Sequence, residues 1–112
     1  MKKIFVMIFI SFILLGCNNT SGKLDFKKIM SENEYTIIDV RTNEEYELSH
    51  IVDAINIPYD EIDKNISLDK NKIIFVYCRS GARSEIAFKT LSNLGYEVYD
   101  LGAFSEIDLE KE

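Results

Sequence analysis

Lys72 to Gly95 reads KIIFVYCRSGARSEIAFKTLSNLG, and its apolar periodicity changes in the middle. Ile73, Ile74, Phe75, Val76 and Tyr77 run together, the pattern of a strand buried on both faces and therefore central in a sheet. Over residues 83–94, Ile86, Ala87, Leu91 and Leu94 fall on one side of a helix, and Gly95 supplies its stop. Cys78, Arg79, Ser80, Gly81 and Ala82 lie between the two patterns. A buried strand that passes through a tight glycine-containing turn into a helix is the repeating unit of an α/β domain.

Moving outward, residues 35–40 (YTIIDV) form a second β-branched run suited to a buried strand. Thr42 and Glu45 have the spacing of a capping box, which predicts a short helix from Asn43 through Tyr46 and Leu48. A helix face is also predicted from Leu24, Phe26, Ile29 and Met30, and a brief strand over residues 54–57, closed by Pro58. Residues 59–66 have weak helical character, and residues 97–99 supply another short strand. Strands alternating with helices predict one α/β domain of three layers, α/β/α, with a mainly parallel central sheet. The length, 112 residues, leaves room for one such core.

Cys78 falls where the strand stops and the helix begins, a place where backbone N–H groups gather at the positive end of a helix dipole. Gly81 lets the turn adopt angles a β-carbon resists, so successive amides can converge as a nest for an anion. Helix N-termini and nearby arginines lower a thiol's pKa below its usual value of about 8.5, so the setting makes Cys78 a nucleophile exposed at the mouth of the turn. The chain carries a net charge of −6 with its acidic residues spread along the body, which excludes nucleic acid as a partner class. Arg79 and Arg83 are then a local basic spot suited to a small anion. Two cysteines and one histidine cannot fill a structural zinc site, which takes four ligands, so no metal is expected.

The N-terminal segment reads differently. Met1-Lys2-Lys3 precedes residues 4–15, apolar but for Ser11, which is the charged start and short oily core of an export signal. A spanning helix needs about 20 apolar residues, more than this run offers. Leu14-Leu15-Gly16-Cys17 resembles the lipobox of bacterial lipoproteins, which implies that Cys17 receives a diacylglyceryl group and becomes the new N-terminus. The expected organisation is a signal over residues 1–17, a flexible tether over 18–23 (NNTSGK) and the domain over 24–112, held on the extracytoplasmic face of a bacterial membrane or in the periplasm. With Cys17 capped by lipid, Cys78 has no disulfide partner in the chain.

Three motifs in order carry a second resemblance. Cys78-Arg79-Ser80-Gly81-Ala82-Arg83 resembles the six-residue active loop of rhodanese domains, and Ile37-Ile38-Asp39-Val40-Arg41 with Glu44-Glu45-Tyr46 resembles their first strand and following helix. Ser49-His50-Ile51-Val52-Asp53-Ala54-Ile55-Asn56-Ile57-Pro58 is similar to the family's Gly-His-Ile-Pro-Gly-Ala-x-Asn-Ile-Pro. The resemblance implies a sulfurtransferase without a cofactor: Cys78 takes the outer sulfur of a donor such as thiosulfate, becomes a persulfide, and passes the sulfur to cyanide or a thiol. It implies that loop amides hold the persulfide as an anion, and that Arg79 and Arg83 meet donor oxygens or, for one of them, brace the loop. Arg41 is expected to face the mouth. Asp39 either holds a loop arginine or is a surface turn carboxylate, and His50 is a packed, hydrogen-bonded side chain.

Two other functions compete. A tethered sulfur-carrier or docking module would use the same thiol with little turnover. A phosphatase or arsenate reductase would need Cys-x5-Arg around a tetrahedral oxyanion, whereas this chain has Cys-x4-Arg. The chain departs from the family at Ser49, Val52 and Asp53, at Ala103 after Gly102, and at Ile107, where the family carries tryptophan. These changes bear on packing and on substrate access.

Overall fold

A computed structural model of the chain describes residues 24–112, so the expected signal, Cys17 and the tether lie outside the described residues. Helix α1 (Phe26–Glu32) leads into β1 (Tyr35–Asp39), α2 (Asn43–Leu48) and the short β2 (Ile55–Asn56). A single 3-10 turn (Tyr59–Glu61) precedes β3 (Ile73–Cys78), α3 (Ala82–Asn93) and β4 (Val98–Ala103), and a second 3-10 turn (Phe104–Glu106) follows. The four strands lie in the order β2-β1-β3-β4, and every neighbouring pair is parallel. This is the expected three-layer α/β/α arrangement.

Alternation along the strands sorts side chains between two cores. Ile38, Val40, Ile74, Val76 and Cys78 face the side covered by α3, where they meet Ala87 and Leu91. Ile37, Ile73, Phe75 and Tyr77 face the other side, where Phe26, Ile29 and Met30 of α1 and Tyr46 of α2 close over them. Phe75 is fully buried and is met edge-on by Phe26 at 5.9 Å and by Tyr35 at 5.7 Å between ring centroids. Burial on both faces explains the uninterrupted apolar run of β3.

Three expectations need correction. Ile86 does not join the buried face of α3 but is 49% exposed; the buried stripe is Ser84, Ala87 and Leu91. A stripe that begins with a serine is invisible to a search for apolar residues, and Ile86 sits about 100° around the helix from Ala87. Residues 59–66 contain only the 3-10 turn, and β4 runs to Ala103 rather than ending at Tyr99. The register of β4 against β3 shifts between Val76 and Tyr77, where Val76 pairs with Asp100 and Tyr77 with Gly102. This bulge, with Gly102 at φ +87°, carries the chain onward to Phe104 beside the ends of β1 and β3.

Candidate active site

In open parallel sheets, ligands bind beyond the carboxyl ends of the strands, where successive connections depart in opposite directions. Here the chain leaves β1 toward β2 on one side, then returns past β1 to β3 on the other. Asp39 ends β1 and Cys78 ends β3, so both stand at that edge.

The cysteine loop is built as follows. Gly81 caps α3 with φ +105° and ψ −14°, which turns its N–H back toward the strand end. That N–H donates to Cys78 Sγ at 3.0 Å, and the Ser84 N–H donates to the same sulfur at 3.3 Å. The Ser84 hydroxyl lies 3.6 Å from Sγ. Burial pushes the Cys78 thiol up, but the Ser84 hydroxyl and the amides of Ser84, Gly81 and Arg83 more than offset it, so the thiol is held below its ordinary value. The expected exposure of the sulfur is corrected: Cys78 is 0% exposed, because it is the last residue of a strand buried throughout and points beneath the first turn of α3.

The two loop arginines part company. Arg83 is half-buried and forms a two-pronged pair with Glu45, at 2.8 Å to Oε1 and 3.1 Å to Oε2. This pair holds the Glu45 carboxyl down at about 2, against an opposing effect of burial and with help from Thr42. Glu45 is also the closing residue of the predicted capping box, accepting from the Thr42 N–H at 2.9 Å. One carboxylate therefore starts α2 and braces the cysteine loop. Arg83 is a brace, its guanidinium engaged by the Glu45 carboxylate. Arg79 and Ser80 are exposed, Ala82 is exposed, and Arg79 has no ion-pair partner among the described residues.

Asp39 holds no loop arginine and is no surface carboxylate. It is fully buried, accepts from Arg41 Nε at 2.9 Å and Nη2 at 2.6 Å, and accepts from the Tyr77 hydroxyl at 2.8 Å. Burial and that bond push the Tyr77 phenol well above its usual range. Arg41 is itself buried, donates to the Ser49 carbonyl at 2.6 Å, and stacks over Phe104 with its guanidinium carbon 4.4 Å from the ring centroid. It forms wall rather than a free cation at the mouth. His50 stacks on Tyr46 at 3.9 Å and bonds through Nδ1 to the Tyr46 carbonyl at 2.8 Å, a packed position.

A cleft of about 670 Å³ opens beside the loop, lined by Arg79, Ser80, Arg41, Glu45, Leu48 and Phe104, among others. Leu48, 87% exposed, and Phe104 give it an apolar rim, and Arg79 gives it a free positive charge. Sequence reading did not find Ser84, the bracing role of Glu45, or Phe104. The capping box already accounted for Glu45, and a serine in a helix carries no mark of facing a thiol. Among the departures from the family pattern, Asp53 adopts φ +73°, a conformation that favours glycine. Ile107 is buried against Phe75 and Tyr77.

The sequence model for the rhodanese-like domain matches residues 23–108. Thiosulfate sulfurtransferase PspE of Escherichia coli is 40% identical over 78 residues, covering 66% of this chain and 75% of that protein. YrkF of Bacillus subtilis, named for a sulfur-carrier role, is 39% identical over 72 residues, covering 63% of this chain but only 39% of that protein. A solved structure described as a rhodanese with anions from E. coli superposes with a TM-score of 0.64 at 37% identity, over 70% of this chain and 96% of that one.

Proposed function

The chain belongs to the rhodanese-like domain family of sulfurtransferases and sulfur carriers, and on that premise we propose that it moves sulfane sulfur through a persulfide on Cys78. The observation that carries this reading is the pair of backbone donors converging on one sulfur, the Gly81 and Ser84 amides, with the Ser84 hydroxyl 3.6 Å away. They favour the thiolate, which is the attacking species in sulfur chemistry.

In the first half-reaction the Cys78 thiolate attacks the outer sulfur of thiosulfate. A bond forms between Sγ and that sulfur, the sulfur–sulfur bond of the donor breaks, and sulfite leaves with the electron pair. In the second, an acceptor thiolate or cyanide attacks the outer sulfur of the persulfide, and Cys78 departs as the thiolate. No proton or cofactor enters the balance. The free guanidinium of Arg79 at the cleft suits a dianionic donor in a chain of net charge −6. Because Cys78 is wholly covered while Arg79 and Ser80 are exposed, the crown of the loop must shift for a donor to reach the sulfur.

That covering also favours a second reading, a sulfur carrier with little turnover, as in the naming of YrkF. The two separate in an assay of thiocyanate formed from thiosulfate and cyanide. A folded protein that turns over, with the signal lost in Cys78→Ser, supports the enzyme; turnover no greater than in Cys78→Ser supports the carrier. For location, we propose attachment to a bacterial membrane on its extracytoplasmic face through lipid on Cys17, resting on the sequence of residues 1–17. A fatty-acid analogue should label the wild type and not Cys17→Ala; labelling of both rejects the assignment.

A further inference from the structure

We infer that the Ser84 hydroxyl is a switchable donor that follows the charge on Cys78, donating to the Gly81 carbonyl when the sulfur is protonated and to the sulfur when it is anionic. Ser84 is fully buried in the first turn of α3, so bulk water does not compete for its proton. Its Oγ stands 3.2 Å from the Gly81 carbonyl oxygen and 3.6 Å from Cys78 Sγ. A hydroxyl has one proton and can serve only one of these acceptors at a time.

The other groups around the sulfur fix which acceptor wins. The Gly81 and Ser84 amides are donors, so a thiol proton on Sγ has the Ser84 oxygen as its acceptor in this shell. The hydroxyl must then point its own proton at Gly81. Once the thiol proton is lost to bulk water, the sulfur becomes a charged acceptor and the hydroxyl gains by turning to it. Leaving Gly81 costs little, because that carbonyl keeps the Glu85 amide at 3.1 Å. The carbonyl therefore does not become an unsatisfied buried acceptor, which is what would otherwise oppose the switch.

The consequence for turnover rests on the sulfurtransferase reading; the hydrogen-bond switch itself does not. When an acceptor thiolate attacks the outer sulfur, the bond from that sulfur to Sγ breaks and Sγ takes the electron pair. The turning hydroxyl meets that charge as it forms, so Ser84 would assist the departure of Cys78 as well as its attack.

The test is a pH titration of thiolate ultraviolet absorbance in the full chain, with the Cys78→Ser variant subtracted to remove Cys17. The expected result is a midpoint at higher pH in Ser84→Ala and an essentially unmoved midpoint in Ser84→Thr, which keeps the hydroxyl. Sulfur transfer at neutral pH should fall about tenfold in Ser84→Ala, the size of one hydrogen bond to a charged group, and recover toward wild type as pH rises. A Ser84→Ala midpoint coincident with wild type overturns the inference, and so does a Ser84→Thr midpoint that moves with it. A shifted midpoint in a protein that takes up no sulfur keeps the switch and discards sulfur transfer. An unmoved midpoint in a protein that transfers sulfur does the reverse.

Discussion

Two arginine–carboxylate pairs flank the cleft, and they are built for different tasks. Asp39 and Arg41 stand two residues apart at the end of β1, with side chains 0% and 6% exposed, and their remaining bonds go to Tyr77 and Ser49. Glu45 and Arg83 stand 38 residues apart, with side chains 24% and 27% exposed, and they join α2 to the cysteine loop. A buried pair whose every partner is fixed organises scaffold, since neither charge can be uncovered cheaply. A partly hydrated pair spanning two elements can set the position of a loop at modest cost in stability. The contrast separates what holds the fold from what aims the sulfur.

The largest effect should follow from breaking the buried pair. Asp39→Ala leaves the Arg41 guanidinium buried without its carboxylate, and removal of one partner of such a pair costs about 3–5 kcal/mol. Urea unfolding should show it as a large fall in the midpoint, with sulfur transfer lost along with the fold. A loss in Asp39→Ala no greater than in Glu45→Gln would erase the distinction between the two pairs.

Glu45→Gln should reverse the ratio of effects. Stability should fall by about 1 kcal/mol, as for a pair open to water, while sulfur transfer falls several-fold because Arg83 no longer braces the loop. Acid titration sharpens the same point. The Glu45 carboxyl is lowered from 4.5 to about 2, so its contribution to stability is complete above the upper value and is lost as pH falls toward the lower. The unfolding midpoint of the wild type should therefore decline over that acid window by more than that of Glu45→Gln. Parallel declines would show that the brace adds no stability.

The smallest effect on the fold belongs to the third arginine. Arg79 is exposed and unpaired among the described residues, so Arg79→Ala should leave unfolding unchanged. It should raise KM for thiosulfate several-fold with kcat nearly constant, the signature of lost ground-state binding. An unchanged KM would move donor recognition from side chains to the backbone amides.

Much of this arrangement was legible in the residues. The run Ile73 to Tyr77 announced a central strand because a strand covered on both faces has no polar side to show. Thr42 and Glu45 announced the start of α2 because a capping box is satisfied locally. The partners of the charged groups were not legible in the same way, because they depend on which elements the topology brings together. Glu45 meets Arg83 only because α2 and α3 both begin at the carboxyl edge of the sheet. The Asp39–Arg41 pair was within reach: residues two apart on an extended backbone share a face, and continuing the alternation of β1 by two positions puts both beside Tyr77. The burial of Cys78 follows from the same continuation along β3, which ends on the cysteine itself.

On the proposed function, Cys78 accepts a sulfur atom because the amides of its own loop and helix hold the resulting charge. Mass spectrometry of the intact chain after exposure to thiosulfate, followed by peptide mapping, tests it most directly. One added sulfur atom is expected, located on Cys78, removed by a thiol or cyanide and absent from Cys78→Ser. An unmodified Cys78 in a folded protein at saturating thiosulfate, or the added sulfur found elsewhere, would contradict it.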